Sequence, residues 1–122
     1  MERPTRREQA RAILESRGHS MAAEILERRP SSAADYDDAF NLEWIDLVAE
    51  IPGRDALLAL GSNRVGPRDG LYILNDGSSY RVYVQERGIE LHAIAGAGFD
   101  EARDAVIEHL IMLQGLPFRP PG

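Results

Sequence analysis

Cysteine and lysine are both missing from the 122-residue chain. Without cysteine there is no disulfide framework, no thiolate metal site and no thiol nucleophile, and a reducing compartment suits the chain. Without lysine no phosphate-binding loop of the P-loop kind can be completed. All 14 basic residues are therefore arginine, a usage that a GC-rich genome would produce. Long apolar runs are missing too, so no stretch reaches the roughly 20 residues a membrane span needs. The opening Met1-Glu2-Arg3-Pro4 is charged and does not lead into a secretion signal. A soluble, cytoplasmic protein is the expectation.

The groups that carry chemistry are equally sparse. The three histidines, His19, His92 and His109, form no HxH or HxxxH pair, so no histidine metal site is expected. His19 sits at a helix junction, His92 on the polar side of a strand, and His109 beside the apolar stripe of a helix, where a structural role is usual. No G-x-S-x-G elbow occurs. Gly96-Ala97-Gly98 precedes a helix but lacks the third glycine of a dinucleotide loop, and Asp100 and Glu101 would repel a phosphate. Gly61-Ser62-Asn63-Arg64 matches no phosphate loop either. Asp37 and Asp38 are adjacent on a predicted helix and diverge, while Glu86 and Glu90 flank a turn and could face each other across two strands, although exposed acids near turns are routine. No catalytic residue, cofactor or metal is predicted, and a non-enzymatic role is the expectation.

What is present is an ordinary globular composition, 43% hydrophobic, in a chain of single-domain length. The net charge of −6 is unevenly spread. Residues 1–29 carry seven arginines against five acids, residues 30–60 one against seven, and residues 61–122 six against eight. An acidic middle third argues against nucleic-acid binding, which needs positive surface. It suits a basic protein partner.

Residues 1–60 read as helical. Thr5 and Glu8 have capping-box spacing, Ala10, Ile13 and Leu14 share one face, and Gly18 is the predicted stop. A second helix restarts at Ser20 and ends before Pro30. Such a pair superficially resembles a helix-turn-helix, but the second helix opens Ser20-Met21-Ala22-Ala23, which offers nothing to base edges. From Asp35 the spacing predicts one longer helix to Ile51, with Tyr36, Phe40, Trp44, Leu47, Val48 and Ile51 on one face. Asp37, Asp38, Glu43, Asp46 and Glu50 lie on the other. Residues 54–60 form a short apolar piece, one or two helical turns or a short strand, since periodicity does not decide so short a run, and a loop follows at 62–69.

Residues 70–116 change period. Strands are predicted at 71–74, 80–85 and 89–94, separated by turns at Asn75-Asp76-Gly77 and Glu86-Arg87-Gly88. Tyr80, Val82 and Val84 alternate with Arg81, Tyr83 and Gln85, which predicts a meander with one apolar and one polar face. Residues 95–98 read as a slack link. Asp100 then caps a strongly apolar helix to Gln114 that should touch both the sheet and the N-terminal helices. Phe118 is expected to pack back, and 120–122 to fray. The fold class is α+β: N-terminal helices, a three-stranded antiparallel meander and a C-terminal helix in one domain.

The run Gly70-Leu-Tyr-Ile-Leu-Asn-Asp-Gly, followed by Tyr80-Arg-Val-Tyr-Val-Gln-Glu-Arg-Gly88 and Phe99-Asp-Glu-Ala102, resembles small bacterial immunity proteins of polymorphic toxin and contact-dependent inhibition systems. The resemblance covers residues 70–116. It implies a cytoplasmic antitoxin that binds a cognate secreted toxin domain, covers its active-site cleft and turns nothing over. Candidate contacts are Asp35, Tyr36, Asp37, Asp38, Glu43 and Asp46 on the acidic helix, with Arg81, Tyr83, Glu86, Arg87 and Glu90 on the hairpins. The alternatives are a helix-turn-helix-type regulator using residues 5–29 and a small-ligand-binding domain.

Overall fold

The computed structural model describes residues 2–122. Its elements run α1 (Arg6–Leu14), α2 (Gly18–Leu26), α3 (Ala33–Ala39), α4 (Trp44–Ala49), α5 (Arg54–Leu58), β1 (Gly70–Asp76), β2 (Ser79–Glu86), β3 (Ile89–Ala97) and α6 (Phe99–Leu113). Helices come first and an antiparallel β1-β2-β3 sheet with its following helix comes second, so the class is α+β. Two compact units divide the chain: the residues up to Glu50 together with Leu110–Gly122, and Ile51–His109.

In the first unit, α1 starts with the reciprocal cap that its sequence predicts. The Thr5 hydroxyl accepts the Glu8 N–H at 3.1 Å, and the Glu8 carboxylate accepts the Thr5 N–H at 3.1 Å. The stop differs from expectation. Ser16, at φ 61°, turns the chain, and Gly18 instead opens α2. Glycine is needed at 18 for close approach: a Cβ there would lie 2.8 Å from both Gln114 Oε1 and Leu116 Cδ1. The Gly18 N–H donates to that same Gln114 oxygen at 2.9 Å.

The single long helix predicted for 35–51 is two helices. Residues 40–43 between α3 and α4 are non-helical, and Phe40 is extended at ψ 142°. The cause is Gln9, fully buried, whose Oε1 accepts the N–H groups of Asn41 at 3.0 Å and Leu42 at 3.2 Å. Its Nε2 donates to Pro4 O at 2.9 Å and Asn41 Oδ1 at 2.6 Å. A side chain from α1 thus takes the donors a continuous helix would use internally. Asp46 then caps the start of α4 by accepting the Glu43 N–H at 2.7 Å.

The end of the chain also departs from expectation. Phe118 does pack back, with its ring stacked on Phe40 at 5.0 Å, but 120–122 is docked and not frayed. Pro120 is buried, and the Trp44 N–H donates to Pro121 O at 2.7 Å. Within this unit the Gln114 amide, just past α6, donates to Ile13 O at 2.7 Å, which ties the end of that helix to α1.

In the second unit the meander forms as predicted, with Leu71 paired to Val84 and Gln85 to Glu90. β1 is longer than its predicted core, and the tight turns reduce to Gly77-Ser78 and Arg87-Gly88. Gly77, Arg87 and Gly88 take positive φ values of 67°, 51° and 79°. The prediction of a polar face fails on β2, where Tyr83 is 0% and Gln85 7% exposed. The segment 61–69 covers that face. The Tyr72 hydroxyl donates to Gly66 O at 3.0 Å and Arg68 O at 2.6 Å, and Gln85 Nε2 reaches the same two carbonyls at 2.7 and 3.1 Å. Tyr72 and Tyr83, register partners, stack at 5.0 Å. Ser62 adds a parallel bridge to β1, and a Cβ on Gly61 would sit 2.9 Å from Leu71 O.

β3 behaves oppositely. Of its nine residues only Ala97 is buried. Its register slips between Val84↔Leu91 and Val82↔Ile94, and again before Tyr80↔Ala97. Each slip admits one extra residue, and His92 (φ 53°) and Gly96 (φ 65°) occupy the positive-φ positions. The predicted slack link at 95–98 is therefore mostly strand. α6 starts at Phe99, whose ring meets Tyr80 edge-on at 6.2 Å. His109 of α6 is buried, with Nδ1 2.5 Å from Ala105 O and Nε2 3.0 Å from His92 O, surroundings in keeping with a structural role.

Candidate partner-binding surface

The acidic residues of 35–50 do not form one open face, because arginines of α1 and Arg28, just past α2, neutralise most of them. Arg6 pairs with Asp46 at 2.7 Å and Glu43 at 3.3 Å, and Glu50 meets Arg11 at 2.8 Å and Arg7 at 3.4 Å. Burial opposes the charge on Asp46, but the Glu43 N–H and the Arg6 guanidinium outweigh it and hold the carboxyl below its ordinary range. Asp35 is buried and gripped by both Arg28 nitrogens at 2.8 and 3.1 Å, with the Ser31 N–H at 2.8 Å. The Arg28 guanidinium first, and the Ser31 N–H second, hold its carboxyl well below the usual carboxylate range.

Three of the sequence-predicted contacts are therefore internal. Asp35 organises the α2–α3 connection. Tyr36 is buried, and its hydroxyl lies 2.6 Å from His19 Nδ1. The other His19 nitrogen faces Gln114 O, an acceptor only, so that nitrogen donates. Tyr83 is fully buried under Arg81, whose guanidinium lies 4.7 Å from the ring centroid. Among the described residues, the Tyr83 hydroxyl is the one buried side-chain polar atom with no hydrogen-bond partner. Burial pushes its pKa up, the Glu90 carboxylate adds to this, and Arg81 opposes it. Glu43 is exposed but paired, and Asp46 is half-buried and paired. Asp37 and Asp38 are exposed on α3, with Asp38 O accepting from Arg3 at 3.2 Å.

The hairpin residues do come together. Glu86, Arg87 and Glu90 are exposed around the β2–β3 turn, and Arg81 forms an ion pair with Glu90 across the two strands. The Arg87 N–H is held by Asp69 Oδ1 at 2.9 Å, which fixes the turn to the covering segment. Ile89 is 62% exposed at the centre of this group. The only sequence signal for it is that strict alternation fades along β3, where Ala93-Ile94-Ala95 are consecutive.

An apolar residue ringed by both signs of charge on a rigid turn has the chemistry of a recognition surface. The free edge of β3 is less suited to strand addition, because its two bulges and positive-φ residues interrupt a regular ladder. Elsewhere, two open grooves lie in the first unit. One, of about 260 Å³, is lined by Glu2, Arg3, Pro4, Glu24, Ile25 and Glu27. The other, of about 520 Å³, runs past His19, Ser20, Arg29 and Tyr36. Among the described residues no group of three or more acidic or histidine side chains is placed to hold a metal, and no helix is long and apolar enough to cross a membrane. Comparison with protein-family models, with curated proteins and with solved structures returned no match.

Proposed function

We propose that this protein is an immunity-type inhibitor that binds a cognate toxin domain through the β2–β3 hairpin. The observation that carries the reading is the contrast within one sheet: β2 is buried on both faces, while β3 leaves eight of nine residues exposed or half-exposed. Ile89 supplies an apolar anchor, and Glu86, Arg87 and Glu90 supply a charged rim. The resemblance of residues 70–116 to immunity proteins covers the stretch that holds this hairpin.

Inhibition would work by occlusion, with no bond made or broken. The exposed acids Asp37 and Asp38, together with the net charge of −6, would favour approach to a basic cleft. The test is co-expression with the protein encoded by the adjacent gene. Growth arrest by that protein alone, relieved when this chain is present, supports the reading. A harmless neighbour, or toxicity that persists at full expression of this chain, overturns it.

A further inference from the structure

Three aromatics at four-residue spacing, Tyr36, Phe40 and Trp44, survive the break between α3 and α4 as a continuous row. The segment 116–122, Leu-Pro-Phe-Arg-Pro-Pro-Gly, lies along it. Phe118 stacks on Phe40 at 5.0 Å with the planes 3° apart, and on Tyr36 at 6.4 Å. The Arg119 guanidinium sits 4.4 Å from the Trp44 ring centroid. Pro120 is buried, and Pro121 O accepts the Trp44 N–H at 2.7 Å. Gly122 lies so close that a Cβ would come within 2.7 Å of Trp44 Cβ.

These are the ingredients of proline-peptide recognition: flat aromatic rings, an N–H aimed at a carbonyl beside proline, and a cation over an indole. Pro117 and Pro120 have the P-x-x-P spacing, and the prolines pre-set an extended chain at low entropic cost. The attachment is made by side chains more than by backbone. The one backbone hydrogen bond described between the row and residues 117–122 is Trp44 N–H to Pro121 O, and Gly115, at φ 63°, forms a natural pivot. Segments with few backbone hydrogen bonds open more readily than the helices they pack on.

We infer that the Tyr36–Phe40–Trp44 row is a recognition surface for an extended partner segment bearing prolines and an arginine. Residues 116–122 occupy it in cis as a strap that such a partner displaces. The inference does not depend on the immunity reading. A tethered strap has an effective concentration in the millimolar range or above, so an incoming peptide binds weakly until the strap is loosened.

Trp44 is the only tryptophan, so its fluorescence reports on the row directly. The experiment titrates a blocked synthetic peptide of residues 116–122 into the full chain, the Phe118→Ala chain and the Arg119→Ala chain. The expected result is saturable change in Trp44 emission for both variants, with affinity at least tenfold higher than for the unaltered chain. A peptide with alanine in place of its phenylalanine should lose that gain. Arg119 is exposed, so Arg119→Ala carries the test where Phe118→Ala does not fold. No saturable change in a folded variant overturns the inference. So does a concentration-dependent dimer that Phe118→Ala abolishes, which would assign the row to a second copy of the chain.

Discussion

Two tyrosines stacked on each other make opposite predictions. The Tyr83 hydroxyl is buried without a partner, whereas the Tyr72 hydroxyl donates to two carbonyls. Tyr83→Phe removes an unsatisfied polar atom and keeps the ring, so its thermal midpoint should stay the same or rise. Tyr72→Phe should lose about 1 kcal/mol, a modest cost because Gln85 still serves both acceptors. Thermal denaturation of the two variants side by side checks this. Asp35 gives a pH dependence with a definite sign. Its pKa is depressed in the fold, so its contribution is complete above the unfolded value of about 4 and is lost as pH falls below it. Asp35→Asn should lower the midpoint at pH 7 and flatten the acid limb below about pH 4 in a stability-against-pH series. None of this was legible in the sequence. Alternation placed Tyr83 on a solvent face because nothing in residues 61–69 announces that they fold across it.

At the scale of elements, most of the regular structure could be read in advance, and the failures share a cause. The capping pair Thr5 and Glu8, the glycine turns and the three-strand order depend on residues near one another, and they stand as expected. The long helix broke because Gln9, more than 30 residues away in sequence, bonds the backbone at Asn41 and Leu42. Apolar periodicity carried straight across the break, so local pattern could not reveal it. Gln9→Ala should destabilise the protein by about 2–4 kcal/mol, since it leaves two N–H groups and the Pro4 carbonyl without this partner and opens a cavity. Chemical denaturation measures it. Loss well under 1 kcal/mol would mean that the break is set by the α3–α4 sequence itself. Gly18 is a second case: it reads as a helix stop, but its role is to admit Gln114 and Leu116.

At the scale of the whole molecule, the uneven charge has a different meaning from the one it first suggests. The arginine excess of residues 1–29 is matched internally to the acids of residues 30–60, through Arg6, Arg7, Arg11 and Arg28. A pairing signal was present in the sequence, because Arg7 and Arg11 share a helix face, but only packing names their partners. Of the residues read as contacts in the sequence, those exposed outside these pairs are Asp37 and Asp38 on α3 and Glu86, Arg87 and Glu90 at the turn around Ile89.

That turn is where the central claim is most exposed to test. Ile89 is largely in solvent, so Ile89→Asp should change stability by no more than about 0.5 kcal/mol. As the anchor of the interface it should cost about 2 kcal/mol of binding, or about 30-fold in affinity. The decisive measurement is a calorimetric titration of the adjacent gene's product, made catalytically inactive, with the unaltered chain and with Ile89→Asp. Tight one-to-one binding that falls about 30-fold in the variant is the expected result. No binding by the unaltered chain, or equal affinity for both proteins, would contradict the hairpin as the inhibitory surface.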